Sequence, residues 1–282
     1  GAVKNQGFEA SINVDVLKTK DLYWGVEANI GINKNKLDKL YKGQEQIIAG
    51  DGSNIAGSAQ KLRKPGYDID TWYIREWAGV NSQTGAPQWY KSDANGDRVI
   101  TEDYAEANPV PMGAYTPDFF GGFSTSFTYK KFDFSAIFNY SVGGKIYNYS
   151  RQEYDADGAY TDRNQMKLHS GWSRWEKEGD IATHPKLVYG NKTNSNQASS
   201  RYLETGTYLK LRNIALGYNL SIPQLAISNL RLYGSIENLF TITHFSGVDP
   251  EIPPTSEGVI SGVSSAVYPK TRRFVFGLNL TF

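Results

Sequence analysis

The segment Asp93-Ala94-Asn95-Gly96-Asp97-Arg98-Val99-Ile100-Thr101-Glu102-Asp103 places oxygen-bearing side chains two residues apart. Such spacing can wrap a hard cation such as calcium, with a backbone carbonyl at the seventh position and an apolar residue anchoring the turn. Asp93, Asn95 and Asp97 fit the first three ligand positions, Val99 the carbonyl and Ile100 the anchor. Two positions depart from the pattern. Arg98 stands where a Gly makes the sharp turn, and Tyr104 stands at the twelfth position, so Asp103 or Glu102 would have to serve through a shifted loop. The same residues also read as an acidic surface turn, and the two departures favour that reading. A loop-bound calcium is retained as an option, and no cofactor is required.

A second group is aromatic. Between residues 144 and 201 lie Tyr147, Tyr149, Tyr154 and Tyr160, then Leu168, Trp172 and Trp175, which share one face if 163–177 forms a short helix. With Asp155, Asp157 and Arg163 nearby, Tyr154, Tyr160, Trp172 and Trp175 are candidate contacts to an oligosaccharide or a peptide. For the Trp residues, packing against neighbouring structure is the stronger expectation. Trp72, Trp77 and Trp89 pose the same choice. His169, His184 and His244 stand apart from any nucleophile motif. Asp180 and His184 have helical spacing, but Pro185 disfavours helix at His184. No phosphate loop or dinucleotide fingerprint occurs, so an enzyme is not expected.

The elements that must carry these groups follow from composition and patterning. The 282 residues include no Cys, which excludes disulfides and thiolate chemistry. A formal charge of +1 lacks the basic excess of a nucleic-acid binder. No window supplies the run of about 18 apolar residues that a membrane helix needs. The 19 Tyr, 13 Phe and 28 Gly point instead to β structure.

Period-two alternation is the strongest local signal. Phe274, Phe276, Leu278, Leu280 and Phe282 share one face, opposed by Val275, Gly277, Asn279 and Thr281. Phe132, Phe134, Ala136 and Phe138 oppose Asp133, Ser135, Ile137 and Asn139. Phe119, Phe123 and Phe127 oppose Phe120, Ser124 and Thr128. Phe8, Ala10, Ile12 and Val14 alternate with Glu9, Ser11 and Asn13; Trp24, Val26, Ala28 and Ile30 with Gly25, Glu27 and Asn29; Leu230, Leu232 and Ile236 with Arg231, Tyr233 and Ser235. Along Tyr208 to Leu220 the face slips near Arg212 and Asn213, which predicts a β-bulge. Weaker strand patterns cover 67–80 and 86–91.

The connections are asymmetric. Links at 18–21, 130–131 and 221–228 are short, whereas 33–66, 92–118, 144–201 and 243–271 are long and polar. Short turns at one end, long loops at the other, and strands of about 9–11 residues describe an outer-membrane barrel. The alternative is a soluble or cell-surface β-rich carbohydrate-binding module, whose apolar positions would be buried between two sheets. Seven clear strands, or nine with the weaker pair, make an odd number. A bacterial single-chain barrel has an even number, so the chain is expected to be part of a larger barrel. On this reading Phe274, Phe276, Leu278, Leu280 and Phe282 face lipid, and Phe282 is an assembly signal.

Particular stretches add a resemblance. Thr116-Pro117-Asp118-Phe119-Phe120-Gly121-Gly122-Phe123, Arg201-Tyr202-Leu203-Glu204-Thr205-Gly206-Thr207-Tyr208-Leu209-Lys210-Leu211-Arg212-Asn213-Ile214, Glu237-Asn238-Leu239-Phe240-Thr241-Ile242-Thr243 and Ser246-Gly247-Val248-Asp249-Pro250-Glu251 occur in this order. Tyr268-Pro269 and Arg272-Arg273-Phe274 follow them. The set resembles the C-terminal part of the SusC/RagA-like family of TonB-dependent outer-membrane transporters. The resemblance implies an all-β fold, with 1–282 forming about seven to nine antiparallel strands of a 22-stranded transmembrane barrel. The plug domain and earlier strands would lie outside this sequence. It further implies nutrient import of glycans or peptides, a SusD-like surface lipoprotein partner, and coupling to the TonB complex through the plug. The expected location is the outer membrane of a Gram-negative bacterium of the Bacteroidota type.

Overall fold

The computed structural model describes residues 1–50, 59–190, 192–222, 224, 227–252, 261–265 and 268–281. β1 (Ala2–Lys18) and β2 (Leu22–Lys39) form a long hairpin. Short strands follow: β3 (Ile47–Ala49), β4 (Gln60–Arg63), β5 (Thr71–Arg75), β6 (Trp77–Val80), β7 (Pro87–Ser92), β8 (Arg98–Thr101) and β9 (Pro109–Ala114). β10 (Phe119–Tyr129) and β11 (Phe132–Val142) make the second long hairpin. β12 (Lys145–Asn148), the helix α1 (Tyr149–Tyr154) and β13 (Leu203–Thr205) precede the third, β14 (Tyr208–Ile222) with β15 (Ile227–Thr243). β16 (Val263–Ser264) and β17 (Arg273–Thr281) complete the described elements.

One seven-stranded antiparallel sheet runs β1-β2-β10-β11-β14-β15-β17. The seven clear strands of the sequence are its members. The weaker pair is not. Segments 67–80 and 86–91 fall in small separate sheets, β3-β4-β5-β9 and β6-β7-β8. Their strands are 4–6 residues long, too short to join a membrane wall. Among the described residues the large sheet therefore has seven strands, the lower end of the expected seven to nine. Among the described residues, β1 and β17 each pair along one edge only.

Register puts the alternation of each strand onto common faces. Directly opposed residues share a face. Leu278 lies opposite Leu232, Leu232 opposite Tyr218, and Tyr218 opposite Phe132. Phe132 in turn meets Tyr129, and Tyr129 meets Leu22. One row higher, Phe276, Gly234, Leu216, Phe134, Phe127 and Trp24 follow the same path. The other face carries Asn13, Glu27, Ser124, Ser126, Asp133, Ser135, Arg231 and Ser235. The expected bulge occurs at Arg212: the consecutive Ile137 and Phe138 of β11 pair with Asn213 and Leu211, and the β14–β15 register also shifts between Leu211 and Asn213.

Among the described residues, no second layer covers the apolar face. Phe274, Phe276, Leu278 and Leu280 are 59%, 84%, 59% and 45% exposed, whereas a sandwich would bury them. The soluble-sandwich alternative is corrected on this point. Phe282 lies outside the described residues. All three short links sit at one end of the sheet, after β1, β10 and β14. The chain's buried core sits at the other end, among the long loops. Trp72, Ile74, Tyr147, Ala198, Tyr202 and Val263 form its main cluster. Ile146, Phe245 and Ile252 form a smaller one.

A charge on the apolar face must lose hydration, whereas one on the polar face need not. Leu232→Arg in the full-length protein should cost about 2–4 kcal/mol at mid-membrane, and Ser235→Arg much less. Unfolding titrations in lipid measure both; equal costs would invert the assignment of faces.

Candidate functional site at the long-loop end

Residues 144–201 do not form the helix considered for 163–177, which is irregular throughout. A short sequence path there is held by side chains, as the contacts of its Trp and charged residues show. The helix of this region is α1, capped by Asn148, whose side chain accepts the Arg151 N–H at 3.1 Å.

A buried ionic cluster ties this loop down. Arg201 binds both Asp155 and Asp157, and Arg174 Nη1 donates to Asp157 Oδ1 at 2.7 Å. Ser195 Oγ donates to Asp157 Oδ2 at 2.8 Å. His184 is fully buried, with Nε2 2.8 Å from Asp155 Oδ2 and Nδ1 2.8 Å from Thr183 Oγ1. His184 is therefore not isolated, as its sequence neighbourhood suggested. Its partner lies 29 residues away. Arg151 extends the cluster through Asp155 and Glu204, at 3.2 Å each. Burial pushes the Asp157 carboxyl up, but the guanidinium groups of Arg201 and Arg174 outweigh this and hold it below the usual carboxylate range. Burial opposes the Arg201 charge, yet Tyr202 and the two carboxylates raise its pKa above the ordinary arginine value.

The candidate aromatic residues separate into different roles. Trp175 docks on the turn at 81–85: its Nε1 donates to Ser82 O at 2.8 Å, and its ring lies over Gly85. A Cβ at Gly85 would sit 2.4 Å from that ring, and φ is +70° there. Trp172 packs between His169, His184 and the Arg151 guanidinium. Trp72 and Trp89 are fully buried, and Trp77 packs edge-on against Trp89. Tyr160 lies under Arg163, which also reaches Glu153. Tyr154 is half exposed and lines a cavity of about 500 Å³ between α1, residues 164–166 and residues 246–248.

The acidic segment forms the β7–β8 hairpin turn. Asp93 Oδ1 accepts the N–H groups of Asn95 at 2.8 Å and Asp97 at 2.9 Å, and Gly96 takes φ +86°. Asp103 accepts from Ala105, and Val99 lies in β8 opposite Lys91. Among the described residues, no three His, Asp or Glu side chains converge as metal ligands.

A second charged group joins two of the quoted sequence stretches. Lys210, buried on β14, donates to Asp249 Oδ2 at 2.7 Å and to Glu251 Oε2 at 3.2 Å. Glu251 also pairs with Arg212 and Lys270. Burial pushes the Glu251 carboxyl up, and these cations bring it below the usual range.

Breaking a buried pair leaves an uncompensated charge, so Arg201→Met should destabilise the loop by about 3–5 kcal/mol. The Val188 and Gly190 amides, bonded to Asp157 O and Gly158 O, report it by faster hydrogen exchange. Because the Asp157 pKa is depressed by folding, its contribution is complete above the unfolded value near 4 and is lost as pH falls below it. Protection of the loop from proteolysis should be flat from pH 7 to about 5 and decline below about 4. Asp157→Asn should flatten that decline.

No family model matches the chain. It is similar to TonB-dependent receptor P3 of Formosa agariphila, 29% identical over 299 residues, covering 100% of this chain and 29% of the relative. TonB-dependent receptor SusC of Bacteroides thetaiotaomicron is 27% identical over 294 residues, covering 100% of this chain and 27% of SusC. Among solved structures, the RagAB peptide transporter superposes with a TM-score of 0.79 at 27% identity, covering 99% of this chain and 29% of that one. The RagAB peptide importer in its closed-closed state gives 0.77 at 28% identity, covering 99% and 30%. The chain thus spans about three tenths of the length of the relatives it matches. Its seven-stranded sheet superposes on a section of these longer chains, and over that length the chain is similar to the TonB-dependent receptors that include SusC and to the RagAB transporter.

Proposed function

We propose that the chain forms part of the barrel wall and the outer loops of an outer-membrane nutrient importer. The carrying observation is the seven-stranded antiparallel sheet with one continuous apolar face, exposed along Phe274, Phe276, Leu278 and Leu280. Lipid is the solvent that such a face requires. Similarity to SusC and to the RagAB peptide importer supports import of a glycan or peptide. The remaining wall strands, pairing with β1 and β17, and a plug that contacts the TonB complex would come from the rest of the receptor. A SusD-like surface lipoprotein would cover the long-loop end. The polar face, with Asn13, Glu27, Ser124 and Arg231, would look into the lumen.

On this reading the full-length protein fractionates with the Gram-negative outer membrane and requires detergent for extraction. Affinity purification retrieves a surface lipoprotein, and uptake of its nutrient stops when TonB is deleted. A protein that is soluble without detergent, or uptake indifferent to TonB, would contradict the proposal.

A further inference from the structure

We infer that Lys4, Lys34 and Lys36, on the lipid-facing side of the β1–β2 hairpin at its long-loop end, hold the phosphate of an outer-leaflet lipid. The inference rests on the barrel-wall reading of the sheet and adds a specific lipid contact to it.

Parity assigns the face. Trp24, Val26, Ala28, Ile30 and Ile32 carry the apolar face along β2, and the same alternation runs on into Lys34 and Lys36. On β1, Val14, Ile12, Ala10 and Phe8 run on into Gln6 and Lys4. Register joins the two series: Phe8 lies opposite Ile32, Gln6 opposite Lys34 and Lys4 opposite Lys36. The intervening residues of β2 turn the other way, towards the loops. Asn35 Oδ1 accepts the Ile69 N–H at 3.2 Å, and Leu37 is buried. Lys4, Lys34 and Lys36 are all exposed. Past a bulge at Asp38, Lys39 lies opposite Ala2 and extends the basic side.

Charge and depth name the ligand. Like charges directly opposite on a sheet repel, as Lys4 and Lys36 must. Among the described residues none of these lysines forms an ion pair, whereas Lys18 at the other end of β1 pairs with Asp15 at 3.8 Å. An anion from outside the polypeptide relieves the repulsion, and ammonium groups bind phosphate as point charges. The long-loop end of such a barrel is extracellular. Lys34 stands about 7 Å beyond Ile32 along the strand, and Lys36 about 13 Å. At a strand tilt of about 45° these are heights of roughly 5 and 9 Å above the apolar band, the level of the headgroups. Phe8 and Ile12, 61% and 60% exposed, continue the same surface into the hydrocarbon. A lipid sets its phosphate beside the lysines and its chains against these residues. A soluble polyanion has no chains to lie there.

The test titrates fluorescent lipid A carrying phosphate, and its dephosphorylated analogue, into the purified full-length receptor in detergent. The phosphorylated lipid should bind at least about tenfold more tightly than the analogue. Lys4→Gln, Lys34→Gln and Lys36→Gln together should remove that preference, at about fivefold per lysine, and Lys18→Gln should leave it unchanged. Added salt should weaken the wild type towards the triple variant. Variants are compared at wild-type yield from the outer-membrane fraction, and the comparison of the two lipids on the wild type needs no variant. Equal affinity of the wild type for both lipids would overturn the inference, and so would a preference that survives in the triple variant. Displacement of the lipid by inorganic phosphate at matched ionic strength would assign a free-anion site and overturn it too. Absence of the receptor from the outer membrane would overturn the barrel-wall reading, and this inference with it.

Discussion

A strand in hydrocarbon has no water to satisfy its N–H and C=O groups, and every one left unpaired costs several kcal/mol. The structure of this chain follows from that constraint. Inner strands of the seven-stranded sheet are paired on both edges by their neighbours, in registers that run eleven residues without interruption between β10 and β11 and from Val3 to Asp15 between β1 and β2. Pairing then dictates that side chains alternate between the two faces of the sheet, which is why Phe127, Phe134, Leu216, Gly234 and Phe276 align across five strands. The same constraint forbids irregular backbone at that depth and sends the connections to the ends. The ends are treated differently. One carries only short links, and the other carries the chain's packed and ionically clasped mass.

That mass is built on a different principle. It lies outside the apolar band and folds as a small soluble protein would, around Trp72, Tyr147 and Tyr202, with short strands instead of long ones. Loops of this length lack enough apolar surface to hold one shape by burial alone. Ionic groups fill the gap: Arg201 with Asp155 and Asp157 in one place, Lys210 with Asp249 and Glu251 in another. The second group is seated on β14, so it joins the loop after β15 to the wall. Stretches that resemble the transporter family in sequence are thus, in physical terms, the two halves of one buried charge cluster.

Legibility in the sequence divides along the same line. Alternation is local and binary, so the faces of β10, β11 and β17 could be read from neighbouring residues, and even the slip at Arg212–Asn213 was visible. The small sheets were not separable from the wall, because the patterns at 67–80 and 86–91 say nothing of which strand they join. The loop site was harder still. His184 and Asp155 are 29 residues apart, and Arg201 and Asp155 are 46 apart, with no periodic pattern to connect them. The aromatic residues were conspicuous, but their number concealed their roles: Trp172 and Trp175 pack, while Tyr154 opens onto the cavity.

The central claim is that one face of the sheet meets lipid and the other does not. This chain contains no Cys, so single cysteines can be placed on β17 without background from it. Spin labels at positions 274 to 280 of the full-length receptor in bilayers should report oxygen accessibility that rises and falls with a period of two. Maxima are expected at Phe274, Phe276, Leu278 and Leu280, and accessibility to a water-soluble nickel chelate should run in the opposite phase. A flat profile, or maxima of the lipid-soluble probe at Val275, Gly277 and Asn279, would contradict the account.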